Sequence, residues 1–256
     1  SRSSSEYFNI DMSNSTLCLG FRYNGTILIY NKYNDIWSHP EIVTINNVQD
    51  FAEQIFISNN GKFLASYGNN NDGKVYIYLK ENSSWLLKKE IEMDDHGMCM
   101  MCLDIFRVSD DSIIYRNKEN TIQYSVLQKN GTNWYKFDIP NPLLVLYDPT
   151  RSNNEFKPNQ NKIFITNNNI FVISLSHLFV FEKDTNGFWL DTPSQSIVLP
   201  GDYRCSIIDS GNCPHGEYNY ANSWYKKKIV ATNNLIVVTD YYGGPDRIPS
   251  ATVYNK

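Results

Sequence analysis

The sequence predicts an all-β chain, a β-propeller assembled from four-stranded antiparallel blades, about five of them visible and the last incomplete. Three observations predict it. Among 256 residues there are only five Ala, but 18 Tyr, 13 Phe and 5 Trp, so strand formers crowd out helix formers. Four of the five Trp, at 37, 85, 134 and 189, return at steps of 48, 49 and 55 residues. Around each lies a pair of predicted hairpins, and a four-strand unit repeating every ~50 residues is the signature of propeller blades.

The second half of each unit carries the recurrence. An apolar run such as Ile27–Tyr30, Val75–Leu79, Val126-Leu127 or Leu178–Phe181 is followed by a Lys, at 32, 80, 129 and 183, and then by a polar turn and the Trp. Tyr254 and Lys256 repeat the start of this element. The first half is a hairpin around a polar turn: Phe8–Leu19 around Ser13-Asn14, Gln54–Tyr67 around Asn59-Asn60-Gly61, Leu103–Tyr115 around Asp110-Asp111, Lys162–Ser174 around Asn167–Asn169 and Lys228–Thr239 around Asn233-Asn234. Asn and Gly supply the positive φ that tight hairpins need. The runs alternate or are continuous, with no 3.6-residue period, which excludes a helical solenoid. A sandwich also has many short strands, but it does not return one Trp per unit.

The blades fall at approximately 6–48, 49–95, 96–145, 156–200 and 225–256, with loop insertions at 146–160 and 201–224. The fifth stops after its third strand, so closure of a ring is expected to draw on further chain or on a strand from a partner. At one position per blade, the Trp is expected to pack between neighbouring sheets. The recurring Lys is expected to keep hairpin tips solvated and to protect sheet edges from pairing.

The second unit resembles an FG-GAP-type repeat of the integrin-α propeller family. It reads Phe51-Ala52-Glu53-Gln54-Ile55-Phe56-Ile57-Ser58, Lys62–Gly68, Gly73-Lys74-Val75-Tyr76-Ile77-Tyr78 and then Trp85, with Ala52 standing for the Gly of Phe-Gly and Tyr67-Gly68 for Gly-Ala-Pro. The resemblance implies a propeller that binds calcium in a blade loop of D-x-[DN]-x-[DN]-G form. The matching stretch, Asn69-Asn70-Asn71-Asp72-Gly73, offers one carboxylate, whereas calcium takes several oxygens and usually more than one carboxylate. No cofactor is therefore expected, and the loop reads as a turn.

Composition excludes some functions. A formal charge of −4 argues against a nucleic-acid binder, whose affinity rests on Lys and Arg neutralising phosphates. No apolar run reaches the ~18 residues of a membrane span, and Ser1-Arg2-Ser3-Ser4-Ser5 has no apolar h-region, so no signal peptide is expected within these residues. The four His, at 39, 96, 177 and 215, are scattered, and Cys99-Met-Met-Cys102 has no second ligand pair. No nucleophile elbow, phosphate loop or zinc-protease motif is present, so no enzyme activity is expected.

Cys205 and Cys213 flank a short loop and are the candidate disulfide. Asn14, Asn24, Asn82 and Asn130 begin N-x-S/T sequons, as many as chance supplies in a chain with 32 Asn; the place of Asn82 and Asn130 at predicted hairpin tips leans towards an extracellular, cell-surface or virion setting. Trp224, Tyr225, Tyr241 and Tyr242 lie outside the repeating Trp position beside the variable loops, and are the candidate ligand contacts. Two functions follow. One is a non-enzymatic interaction or scaffold module that engages a protein partner or the remainder of a longer chain. The alternative is a propeller that binds or processes glycans through the inserted loops.

Overall fold

Five times along the chain a strand ends on a Ser or Thr whose side chain closes the turn to the next strand. The computed structural model describes residues 8–45, 48, 51–68, 73–93, 106–116, 124–139, 162–174, 177–198, 228–232, 235–240 and 250–255. In these residues Ser13, Ser58, Ser109, Thr166 and Thr232 accept, through the hydroxyl oxygen, the backbone N–H of Thr16, Phe63, Ser112, Asn169 and Leu235 at 3.0–3.2 Å. Each also donates its own N–H to the carbonyl of the same partner. A hydroxyl that bonds the local backbone favours a turn over continued strand, and this marks the first hairpin of every unit.

From each such turn an antiparallel meander is built. The first sheet holds β1 (Phe8–Met12), β2 (Thr16–Phe21) and β3 (Thr26–Tyr33), with β4 (Ile36–Trp37) and β5 (Glu41–Thr44) sharing the far edge of β3. Pro40, without an N–H, stands in the break between β4 and β5. The second sheet is β6 (Gln54–Ile57), β7 (Phe63–Gly68), β8 (Lys74–Glu81) and β9 (Ser84–Glu92). The third is β10 (Phe106–Val108), β11 (Ser112–Arg116), β12 (Tyr124–Asn130) and β13 (Asn133–Ile139). The fourth is β14 (Lys162–Ile165), β15 (Asn169–Ser174), β16 (His177–Glu182) and β17 (Gln195–Val198), and the fifth is β18 (Lys228–Ala231), β19 (Leu235–Asp240) and β20 (Ser250–Asn255). All pairings are antiparallel and, apart from β3 with β5, join strands adjacent in sequence, and no helix occurs among the described residues.

The chain divides into two compact units, the first holding sheets one to three and the second sheets four and five. In the first unit the leading strands β1, β6 and β10 are neighbours, as are β14 and β18 in the second. Between the first two sheets lies a core of Cys18, Ile27, Ile29, Phe51, Ile55, Ile57, Leu64, Tyr76 and Tyr78. The third sheet meets the second through Phe56 against Phe106 and Phe63 against Trp134, edge to face at 4.9 and 6.1 Å. In the second unit Phe171, Ile173, Leu178 and Val180 pack on Ile236 and Val238, with Tyr254 against them.

Two expectations need correction. Trp189 is buried, and Trp85 and Trp134 are half-buried against the preceding sheet, but Trp37 is 41 % exposed. It belongs to the first sheet, whose outer face meets no other sheet among the described residues of its unit. The recurring Lys is also more than a solubilising residue. It pairs in register with the Trp, as Lys32 with Trp37, Lys80 with Trp85 and Lys183 with Trp189. The ammonium stands 5.7 Å from the Trp85 ring centroid at Lys80 and 4.7 Å from that of Trp189 at Lys183, within cation–π reach.

Ala52, in the Gly position of the Phe-Gly pair, has a φ of +69°, a left-handed backbone that glycine adopts freely. The lost freedom has a packing counterpart. Ala52 is buried against β2 at Gly20, where a Cβ would come within 2.8 Å of the Ala52 carbonyl oxygen.

Candidate interaction surface

Strand alternation sends one set of first-sheet residues towards the second sheet and the other set away from it. The inward rows run Asp11–Cys18–Ile29 and Gly20–Ile27–Val43. Every apolar member is buried. The outward rows are just as apolar. Ile10, Leu19, Leu28 and Ile42 stand in one row across four strands, and Phe8 with Phe21 and Met12 with Leu17 and Tyr30 flank it.

Position in the repeat identifies what this outer face is. Met12, Leu17 and Tyr30 form the row just before the turn serine Ser13. The same row in the second sheet is Ile57, Leu64 and Tyr78, just before Ser58, and it is sealed in the core against the first sheet. Ile57 is 6 % exposed, whereas Met12 is 61 % exposed. Phe8, Ile10 and Ile42 are similarly open at 63, 55 and 66 %. Contiguous exposed apolar patches are uncommon on folded monomeric proteins.

The polar residues repeat the contrast. Lys80, on the face of the second sheet that meets the first, donates to Asn31 Oδ1 at 2.9 Å and to Glu41 Oε1 at 3.2 Å, while Asn31 Nδ2 donates to the same Glu41 oxygen at 2.7 Å. Asp11 accepts the Ile57 N–H at 2.7 Å across this junction. Burial pushes the Asp11 carboxyl above the usual carboxylate range, with the N–H donors Ile57 and Met12 and the Arg107 charge opposing. On the outer face Lys32 pairs with Asp35 of its own hairpin turn, 2.8 Å away on a carboxylate that is 92 % exposed.

Sequence reasoning did not find this surface. A pattern such as Thr-Leu-Cys-Leu-Gly-Phe is apolar on both faces, and only the register shows which face is covered. The candidates it did name are placed as follows. Asn14, Asn24, Asn82 and Asn130 are exposed, in turns or, for Asn130, at the strand end bordering one. Trp224, Tyr225, Tyr241, Tyr242, Cys205, Cys213, Cys99, Cys102, both inserted loops and Asn69–Asp72 of the calcium-type loop lie outside the described residues. Cys18 is buried and reduced, and burial, with the Asp11 charge, raises its thiol. Among the described residues no three His, Cys, Asp or Glu stand together as metal ligands, and no helix is long and apolar enough to cross a membrane.

No protein-family model matches the chain, and no curated protein matches it. Solved structures do. A protein of unknown function from Desulfotomaculum acetoxidans DSM 771 superposes with a TM-score of 0.50 at 9 % identity, over 98 % of this chain and 71 % of that one. The β-propeller domain of Myceliophteria thermophila Cps50 (Swd1) gives 0.46 at 10 % identity, over 96 % and 69 %. SapL1 lectin in complex with alpha methyl fucoside gives 0.47 at 9 %, over 98 % and 76 %. The chain spans 57 % of the length of a 6-phosphogluconolactonase candidate from Bacteroides uniformis ATCC 8492, at 18 % identity and a TM-score of 0.45. At these identities the likeness is one of fold alone. The chain is an all-β propeller of antiparallel blades, three of its five described sheets being four-stranded.

Proposed function

We propose that this chain is a non-enzymatic interaction module that docks another protein surface on the outer face of its first blade. The observation that carries the reading is the equivalence of Met12–Leu17–Tyr30 with Ile57–Leu64–Tyr78. A face built like a covered one, yet open, is built to be covered. Trp37 and Lys32 extend it with the residue pair that the second sheet spends on its own junction. The FG-GAP-type assignment belongs to this reading, supported by the left-handed backbone at Ala52. An extracellular or virion setting is supported by the four sequon asparagines, all exposed.

A photo-crosslinking side chain at position 10, compared with one at exposed Lys89 on β9, tests the reading in the protein's native source. Protein adducts at position 10 but not at 89 support it. Equal labelling at both positions contradicts it. Saturable binding on a glycan array, lost on Trp224→Ala, would instead favour the glycan-binding alternative.

A further inference from the structure

The chain holds four Asn-Gly pairs: Asn24-Gly25, Asn60-Gly61, Asn130-Gly131 and Asn186-Gly187. Such a pair carries its own reaction, in which the glycine amide nitrogen attacks the asparagine Cγ. Glycine favours it, because no Cβ shields the nitrogen and the backbone turns freely. The nitrogen must first be released from any acceptor, and the carboxamide must be free to rotate towards it.

The fold holds three of the four pairs back. The N–H of Gly25 donates to the Arg22 carbonyl at 3.2 Å, that of Gly61 to Ser58 at 2.9 Å and that of Gly187 to Asp184 at 3.0 Å. The Asn60 carboxamide is fixed as well, since its Oδ1 accepts the Ser58 hydroxyl at 2.8 Å and the Lys62 N–H at 2.9 Å. Asp184 holds the turn around Asn186 through the N–H groups of Asn186 and Phe188, both at 2.8 Å.

The third pair stands apart. Asn130 ends β12 and Gly131, at a φ of +60°, opens the turn to β13, both exposed. Among the described residues the Gly131 N–H meets no acceptor and the Asn130 carboxamide no partner. A Cβ on Gly131 would find nothing within 4 Å. Lys129 Nζ donates to the Gly131 carbonyl at 2.7 Å. This sets a cation beside the residue whose nitrogen must give up its proton, and a near cation favours the deprotonated form.

We propose that Asn130 is a site of spontaneous deamidation, singled out from the other Asn-Gly pairs by the open tip of the β12–β13 hairpin. The Gly131 nitrogen passes its proton to a solvent base and bonds to Asn130 Cγ. The Cγ–Nδ2 bond breaks, and Nδ2 leaves as ammonia. Water then opens the five-membered imide at either carbonyl, giving aspartate or isoaspartate, and the Gly131 nitrogen regains its proton. The sum is one water consumed and one ammonia released, with no oxidant. Both products set a negative charge beside Lys129 and end the sequon that starts at Asn130. Isoaspartate also adds a methylene to the main chain of a hairpin whose Trp134 packs edge to face on Phe63 at 6.1 Å.

Peptide mapping by mass spectrometry tests this on the full folded chain, aged at mildly alkaline pH beside a sample kept unfolded in urea. Asn130 should convert at least about fivefold faster than Asn24, Asn60 or Asn186 in the folded chain, the factor that one retained hydrogen bond of about 1 kcal/mol gives. The four rates should draw together in urea. Isoaspartyl methyltransferase should label the aged chain at this peptide, and Asn130→Gln should abolish that label. Lys129→Gln should slow the conversion. A folded chain in which Asn130 reacts no faster than the other three would overturn the proposal. So would the same order of rates in urea, because the fold would then have no part in the choice.

Discussion

Lys80 holds Glu41 across the junction of the first two blades, ammonium nitrogen to carboxylate oxygen at 3.2 Å, and Lys32 has the same place in its own blade with no blade beyond it in its unit. One side chain thus plays a structural part in the second sheet and stands ready for one in the first.

The pair predicts a difference between two equivalent substitutions. Lys80 is 16 % exposed with a partner that is 33 % exposed, so its loss strands Glu41 and Asn31 at the junction. Lys80→Met should cost about 1–2 kcal/mol, between the worth of exposed and of buried ion pairs. Lys32→Met removes only a turn contact to exposed Asp35 and should change stability by less than about 0.5 kcal/mol. Chemical denaturation of both variants checks this, and equal losses would refute the contrast.

Close approach between the sheets predicts that Gly20 tolerates no side chain. A Cβ there would lie 2.8 Å from the Ala52 carbonyl oxygen and 3.2 Å from both the Ala52 Cβ and Ile55 Cγ2. Backbone cannot give way as a flexible side chain can. Gly20→Ala should lose about 1–3 kcal/mol and melt several degrees lower, although Ala suits a strand no worse than Gly. An unchanged melting temperature would mean the two sheets are not packed at this distance.

Asp11 predicts the sign of a pH effect. Its folded carboxyl titrates above its unfolded value of 3.8, so the folded protein holds the proton longer than the unfolded chain. Stability therefore falls as pH rises from 3.8 through the folded value, and is fully present below 3.8. Asp11→Asn keeps an oxygen to accept the Ile57 N–H and loses the charge. Its melting temperature, relative to wild type, should climb between pH 3 and pH 6. A difference independent of pH would contradict the burial of a charge at this junction.

Much of this architecture was legible in the residues. The Trp spacing and the paired apolar runs located the strands, because period-2 patterning and turn residues act locally. The turn Ser or Thr at 13, 58, 109, 166 and 232 was equally present in the sequence, but two hydroxyl types among many Ser, Thr and Asn do not stand out until their hydrogen bonds are seen. The Lys was misread for a different reason. Whether Lys80 meets water or Glu41 depends on a neighbouring sheet 39 residues away in the chain, which no local pattern encodes. The candidate surface was hidden by symmetry: Leu17, Leu19 and Leu28 are as apolar as Cys18, Ile27 and Ile29, and only pairing decides which set is covered.

Hydroxyl-radical footprinting of the dilute wild-type chain tests the account at its root, which is that the first blade leaves open a face its successor keeps closed. Phe8, Met12 and Trp37 should label readily while Phe51, Phe63 and Phe171 stay protected. Protection of Phe8 and Met12 in the dilute monomer, at the level of Phe51, would contradict it.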